Sequence, residues 1–381
     1  MARSPRIPFF SQAATFERIW PEIRKNIDRV FDNGKFSHGA QVAELEHRLA
    51  GYTGARHVVG VNSGTDALVL LLRAAGLRPG EGVLVPAYSF IATASAVTLA
   101  GGRPQFTDID PVTYAMDPAS AADAVTADTR FVLPAHLFTR MANMQALASL
   151  AAQRGLVLLE DSAEGIGMRQ RGTHAGLWGA GGVLSFFPSK TLGAIGDAGA
   201  VLTDDPVIAR RVDAMRHHGR SGRTINDFPG IANESDLPGV NSKMDDLQAA
   251  VLLAKMNYLD TEIAWRNTLA ERYTKRLEGC PGIIAMPRKI DVCYVYLVEV
   301  DRRDELVDHL AEQRIGTETY YPTPLHRQPC FSNLDYREGE FPHAEAACRR
   351  AVALPLYPDL GTDELDRVCE VIWDFCTARG A

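Results

Sequence analysis

Seven short strand-like runs separated by helical patterns constrain this chain more than any other feature of its sequence. They are His57–Val61, Gly82–Val85, Gln105–Thr107, Phe131–Pro134, Leu156–Asp161, Gly182–Phe187 and Ala200–Thr203. Most are continuously apolar rather than alternating, which is how strands read when helices cover both faces of a parallel sheet. Helical patterns lie between them: Ala67 to Ala75, a stretch ending at Ala100, Ala121 to Val125, Met144 to Arg154 and Pro206 to His217. Ahead of the first strand, Phe16, Ile19, Trp20, Ile23, Ile27, Val30 and Phe31 recur at three- and four-residue steps, with Asp32-Asn33-Gly34 as the stop. A second pattern follows at Val42, Leu45 and Leu49.

Beyond the last strand, Leu247, Val251, Leu252 and Met256 mark a further helix, and another runs around Trp265 to Leu277. After Pro281 and Pro287 the composition changes. A strand pattern at Cys293 to Val300, a helix at Leu306 to Gln313 and a terminal helix at Leu365 to Phe375 read as a smaller α+β unit. The expectation is an α/β fold in two domains, a large one over residues 1–260 with a mostly parallel seven-stranded sheet, and a small C-terminal one over 261–381.

Composition excludes several classes. With 46% hydrophobic and 23% charged residues, neither a disordered nor a membrane protein is favoured, and a net charge of −7 gives no footprint for nucleic acid. The six cysteines all lie in the last third with no C-x-x-C pair, so metal clusters and disulfide frameworks are not expected and a reducing compartment fits. The apolar run Ile7 to Phe10, interrupted by Pro8, is too short for a signal-peptide core, and no window has the length of a membrane span. The expected location is the cytoplasm.

Three features carry chemistry. Lys190 follows the apolar segment Val183 to Phe187 and precedes the glycine-studded run Gly193 to Gly199; alone, it also reads as a solvated surface lysine. Val61-Asn62-Ser63-Gly64-Thr65-Asp66 turns from a strand into a helix whose free N–H groups suit a phosphate, although Ser63 also reads as an ordinary N-cap. Asp161 stands at the carboxyl end of a strand, the edge where open α/β sheets gather ligands, or serves there as a loop anchor. The polar stretch Arg220 to Pro238 has the length of a functional loop and is expected to border the site.

One cofactor, pyridoxal 5′-phosphate, needs all three: a lysine for its aldehyde, a helix N-terminus for its phosphate and a carboxylate to keep its pyridine nitrogen protonated. Raising that nitrogen's pKa by a few units takes on the order of 4 kcal/mol, which a buried aspartate can supply.

The segments Val61 to Leu68, Pro86 to Thr93, Glu160 to Glu164, Ser185 to Gly193, and Asn241 with Gln248-Ala249-Ala250 together resemble the nucleotide-sugar aminotransferases, fold type I enzymes of the aspartate aminotransferase superfamily. The resemblance covers nearly the whole chain. It implies that Lys190 carries the cofactor as a Schiff base, that Asp161 pairs with the pyridinium and that Phe90 stacks on its ring. It further implies phosphate contacts from Gly64, Thr65 and Ser185, with Ser63 as a cap or further contact, and from Asn241 of a neighbouring subunit in a homodimer with shared sites.

Departures from the family pattern bear on the substrate. Glu164 stands where glutamine is common, so its carboxylate is expected either protonated or turned toward the substrate amine. Tyr320-Tyr321-Pro322 replaces a His-Tyr-Pro, and Lys243 an arginine. The implied reaction moves an amino group from an amino acid, L-glutamate by resemblance, to a keto-sugar on a nucleoside diphosphate. Glu164, Tyr320, Tyr321 and His326 are expected on the substrate side, and the stretch Tyr321 to His326 leans toward a dTDP-4-keto-6-deoxyhexose over a 3-keto sugar. A non-catalytic sensor of the same family is the alternative. A Rossmann oxidoreductase is not favoured, because Gly193, Gly196 and Gly199 are spaced G-x-x-G-x-x-G and follow a lysine turn.

Overall fold

The computed structural model describes residues 5–37, 39–220 and 234–378. Helix α1 (Ala13–Asn33) ends where Gly34 takes the left-handed conformation, φ 63°, and returns its N–H to Val30 O and Phe31 O. Helix α2 (Ala40–Thr53) leads into β1 (His57–Val61). Strand and helix then alternate: α3 (Gly64–Ala74), β2 (Gly82–Pro86), α4 (Ile91–Leu99), β3 (Arg103–Thr107), α5 (Pro118–Asp123), β4 (Thr129–Val132), α6 (Met144–Arg154) and β5 (Val157–Asp161). A two-residue hairpin, β6 (Arg169–Gln170) and β7 (Thr173–His174), precedes β8 (Gly181–Ser185), β9 (Gly199–Thr203) and α7 (Pro206–Arg216).

The seven runs read from the sequence form one sheet, in the order β1-β9-β8-β5-β4-β2-β3. All neighbours are parallel except those of β9, which runs antiparallel to both β8 and β1. The exception has a local cause: β8 and β9 follow each other through residues 186–198 without a crossover helix, and a direct return can only be antiparallel. Lys190 sits on that return. The strands are buried on both faces, with Val83, Leu84, Val85, Leu159, Val183 and Val201 at 1% exposure or less, which is why they carry no apolar–polar alternation.

Helices α8 (Asp246–Met256) and α9 (Leu259–Leu277) lead to a three-stranded antiparallel sheet in the order β10 (Ile283–Ala285), β11 (Tyr296–Val300), β12 (Ala351–Leu354). Helices α10 (Arg303–Glu312), α11 (Pro342–Arg350) and α12 (Thr362–Thr377) complete this part. Its core gathers Tyr273, Tyr296, Val298, Leu306, Leu365 and Ile372, and Ile7 from the start of the chain is buried among them, bridged in parallel to Ile315.

Boundaries moved where caps decide them. The helix read at Ala121 starts at Pro118 because the Asp117 side chain accepts from Ala119 N and Ser120 N. The pattern read around Trp265 begins six residues earlier, at Leu259. Strand β12 went unread: it follows α11 directly, without a glycine or proline to mark the change of period. Of the polar stretch Arg220 to Pro238, residues 221–233 lie outside the described residues. Among the described residues no helix is long and apolar enough to cross a membrane.

Candidate active site

The carboxyl ends of β1, β2, β5 and β8 open on one cleft of about 420 Å³, lined by Ser63, Gly64, Thr65, Ser89, Phe90, Asp161, Glu164, Ser185, Lys190, Tyr294, Tyr320 and Tyr321 among others. At the end of β1, Ser63 caps α3 by accepting from Asp66 N at 3.1 Å, so the cap reading of this serine holds while the neighbouring backbone still faces the cleft. Gly64 is required here. A Cβ on it would lie 2.8 Å from Ser185 Cβ, and any side chain would close the gap between the α3 N-terminus and the end of β8.

Asp161, the last residue of β5, is buried. Its Oδ2 accepts from Thr93 Oγ1 at 2.6 Å, and Thr93 Oγ1 in turn lies 2.7 Å from Ser89 Oγ; Oδ1 accepts from Ala163 N at 3.3 Å. Its backbone is tied to the neighbouring chain segment at Pro134 O and His136 N. A buried carboxylate aimed by a chain of hydroxyls keeps one geometry. Thr93 belongs to a segment that carried the resemblance, but its part in holding Asp161 had no signal in the sequence.

Lys190 Nζ donates to Glu164 Oε1 at 3.0 Å and lies 4.4 Å from the centroid of the Tyr294 ring. Burial opposes the charge on this ammonium, but the Glu164 carboxylate, with Tyr294 and Asp161 behind it, outweighs burial and holds Lys190 above the ordinary lysine value. The other Glu164 oxygen accepts from Phe138 N at 2.9 Å. Both oxygens are therefore occupied by donors, one a cation. The pairing of Glu164 with Lys190 was not foreseen from the sequence. Tyr294 was missed. It was read only as part of a strand, yet its hydroxyl lies 3.1 Å from Ser189 Oγ and its ring lies under the lysine.

Phe90, at the start of α4, is 55% exposed at the cleft and 6.1 Å from the Tyr321 ring. Tyr320 and Tyr321 reach the same cleft. Burial raises both phenols above the ordinary tyrosine value, so they act as neutral hydroxyls. His326 does not join them. It is 2% exposed, packed against Phe341 at 4.8 Å and paired with Glu345 Oε1 at 3.2 Å, so its expected substrate contact is corrected to a structural role. Asn241 is exposed and bonded through Oδ1 to Lys243 Nζ, away from the cleft of its own chain.

The donor set fits pyridoxal phosphate: the N-terminus of α3, capped by Ser63 through one N–H only and facing Ser185, a buried carboxylate fixed in direction and a lysine in one cavity. The family model described as the DegT/DnrJ/EryC1/StrS aminotransferase family matches residues 17–373. The chain is 38% identical to a pleiotropic regulatory protein of Geobacillus stearothermophilus, over 97% of this chain and 98% of the relative. It is 36% identical to the dTDP-3-amino-3,4,6-trideoxy-α-D-glucose transaminase of Streptomyces venezuelae, over 97% and 96%. With the UDP-N-acetyl-3-dehydro-α-D-glucosamine 3-aminotransferase of Acidithiobacillus ferrooxidans the identity is 35%, over 98% of each. Among solved structures, S. venezuelae DesV in complex with a ketimine intermediate superposes with a TM-score of 0.92 at 36% identity, over 98% of this chain and 99% of that one. NtdA of Bacillus subtilis, with bound cofactor PMP, superposes at 0.87 and 32%, over 99% and 86%.

Proposed function

Because the chain belongs to the DegT/DnrJ/EryC1/StrS aminotransferase family, we propose that it transfers an amino group from L-glutamate to the keto carbon of a nucleotide-linked sugar, with pyridoxal 5′-phosphate in the cleft. The observation that carries this reading is the convergence of Lys190, Glu164 and Asp161 on one cavity. When bound, the cofactor supplies an electron sink for charge developing at the substrate carbon. Ser63, Gly64, Thr65 and Ser185 would hold its phosphate, Asp161 its pyridine nitrogen, and Phe90 one face of its ring. Lys190 would hold the aldehyde, and its freed Nζ would carry a proton between the bound substrate's carbon and the cofactor's carbon in each half of the reaction. Glu164 Oε1, at 3.0 Å, keeps that nitrogen in place.

Two observations bear on the acceptor. The Streptomyces and Acidithiobacillus relatives have names that place the amino group at C3, and His326, part of the stretch that leaned toward C4, is buried away from the cleft. Both support a 3-keto sugar over the 4-keto sugar expected from sequence. The test is direct: incubate the protein with glutamate and either a 3-keto or a 4-keto dTDP- or UDP-hexose, and identify the aminated carbon by NMR. Amination of the 4-keto sugar alone would reverse the choice of carbon. No amination of any keto-sugar, with the cofactor bound, would favour the sensor alternative suggested by the name of the Geobacillus relative.

The exposed Asn241 and the apolar Phe187 and Ile195, 51% and 53% exposed, support a homodimer in which Asn241 reaches the partner's phosphate. Mixing inactive Lys190→Ala and Asn241→Ala chains tests it. One site of the mixed dimer then carries both lesions and the other neither, so activity returns; no recovery despite subunit exchange would exclude the shared site.

A further inference from the structure

The return from β8 to β9 that carries Lys190 is closed by its own backbone. Lys190 N donates to Phe187 O, Ala194 N to Phe186 O and Phe186 N to Ala198 O, each at 2.8 Å. Gly193 packs so tightly into the turn that a Cβ there would lie 2.3 Å from Pro188 O. Besides Tyr294 at Ser189, three side chains grip the backbone of the turn from outside. Gln12, ahead of α1, donates to Pro188 O. Gln248 of α8 accepts from Ile195 N at 3.1 Å. Lys255, two helical turns further along α8, donates from Nζ to Gly193 O at 2.8 Å.

Lys255 is the unusual member of this set, because it is 2% exposed. Satisfying one carbonyl with a buried ammonium costs more in desolvation than a single hydrogen bond returns, and a neutral amide such as that of Gln12 does the same work without that cost. The charge therefore calls for a role. We propose that Lys255 is a positioning residue for Lys190: its ammonium, seated on the Gly193 carbonyl, clamps the turn that places Lys190 in the cleft, and the clamp weakens when that ammonium gives up its proton.

The surroundings make such a loss accessible. The charged groups facing Lys255 are Glu262 and Arg266 of α9, while α1 offers the ring of Phe16 at 5.8 Å. Glu262 is itself engaged by Arg18 of α1 at 3.3 Å, and Arg18 also binds Asp359 at 2.6 Å. Burial outweighs the opposing pull of Glu262 and, with Arg266, brings Lys255 down to about 8. A charge-assisted bond to a carbonyl is about twice as strong as its neutral counterpart, so the turn loosens rather than opens. Global stability moves the other way. Between about 8 and the ordinary lysine value the unfolded chain binds more protons than the folded one, so stability rises with pH there.

The test is amide hydrogen exchange across residues 187–196 in cofactor-free protein, expressed as protection relative to intrinsic rates at neutral and at mildly alkaline pH. Wild-type protection should fall about fivefold on the alkaline side, while peptides from β2 and β5 hold steady. Lys255→Met should show the lowered protection at both pH values, with no further fall. Lys255→Arg, charged throughout, should keep the neutral-pH protection into the alkaline range. Should the arginine variant not fold, the methionine variant decides. Wild-type protection that is flat with pH, or a methionine variant that reproduces the wild-type fall, overturns the proposal. The clamp matters for catalysis only if Lys190 carries the chemistry as proposed, and exchange without cofactor reads the turn whether or not amino transfer occurs.

Discussion

Ser63, Asp161 and Ser185 each stand at or next to the carboxyl end of a strand of the seven-stranded sheet, whereas Tyr294, Tyr320 and Tyr321 enter the same cleft from connections without regular structure in the C-terminal third. The first group is placed by the ladder: its direction follows from strand register, and short hydrogen bonds such as Thr93 to Asp161 only refine it. The second group is placed by side-chain packing over long sequence distance, with Tyr88 donating to Tyr320 O and Phe138 packed against both tyrosines. Lys190 and Glu164 join the two, since the lysine is tied to Asp161's neighbourhood through Glu164 and to the aromatic group through the face of Tyr294. The difference teaches a division of labour: under the proposed function the sheet edge would hold the cofactor and the packed tyrosines would face the substrate.

The largest expected effect breaks the junction itself. Lys190→Ala should lower turnover by on the order of 10⁴-fold or more, while a thermal melt shows the fold retained; activity within tenfold of wild type would remove Lys190 from the chemistry. Next comes the sheet side. Asp161→Ala leaves Lys190 free to hold the cofactor but removes the partner of the pyridine nitrogen, so single-turnover reaction with glutamate should slow by on the order of 10³-fold, a few pKa units expressed as rate. Spectra unchanged from wild type in the resting enzyme, with that slow rate, would separate electronics from attachment.

Glu164→Gln sharpens the comparison by removing charge but little volume. The ion pair raises Lys190 above its ordinary value, so its stabilisation is fully present below that value and is lost only as pH climbs past the raised one. Without the carboxylate only Tyr294 and Asp161 are left to oppose burial, and the pH at which cofactor-free Lys190 reacts with a small acylating reagent should drop by about one unit or more. An unchanged profile would show the pair to be electrostatically idle. The smallest effect is expected from Tyr294→Phe, which keeps the ring under Lys190 and loses only the hydroxyl 3.1 Å from Ser189 Oγ. A change of about fivefold in kcat, with the KM for glutamate held, is expected from one hydrogen bond.

The same division explains what could be read from the sequence. All seven strands of the large sheet were legible because burial on both faces leaves most of them as apolar runs, and the strand ends pointed to Asp161 and Ser63, whereas Ser185 came from the resemblance alone. Lys190 became legible only beside the helix start at Ser63 and the strand-end Asp161, since its own stretch also reads as surface. Thr93 was present in a recognised segment without a role, because its contact with Asp161 spans 68 residues and depends on how α4 lies against β5. Tyr294 and the environment of His326 were illegible for the same reason: a tyrosine in a strand-like run and a histidine near prolines carry no local mark of whether they meet a cleft or a core. Lys255 reads as one charge on an amphipathic helix until the turn it touches is in place.

Ile7, buried in the core of the C-terminal part and bridged to Ile315, sets the order in which the molecule can be finished. On a ribosome Ile7 emerges well before the strand and helices that enclose it, which lie between Leu269 and Ile372. The large sheet can assemble while synthesis continues, since its strands end at Thr203 and domains fold as units in the order they appear. Ile7 has to wait. Until helix α12 is made it remains an uncovered apolar segment tethered to a folded body, and the C-terminal core closes by recapturing a segment synthesised long before the rest of it.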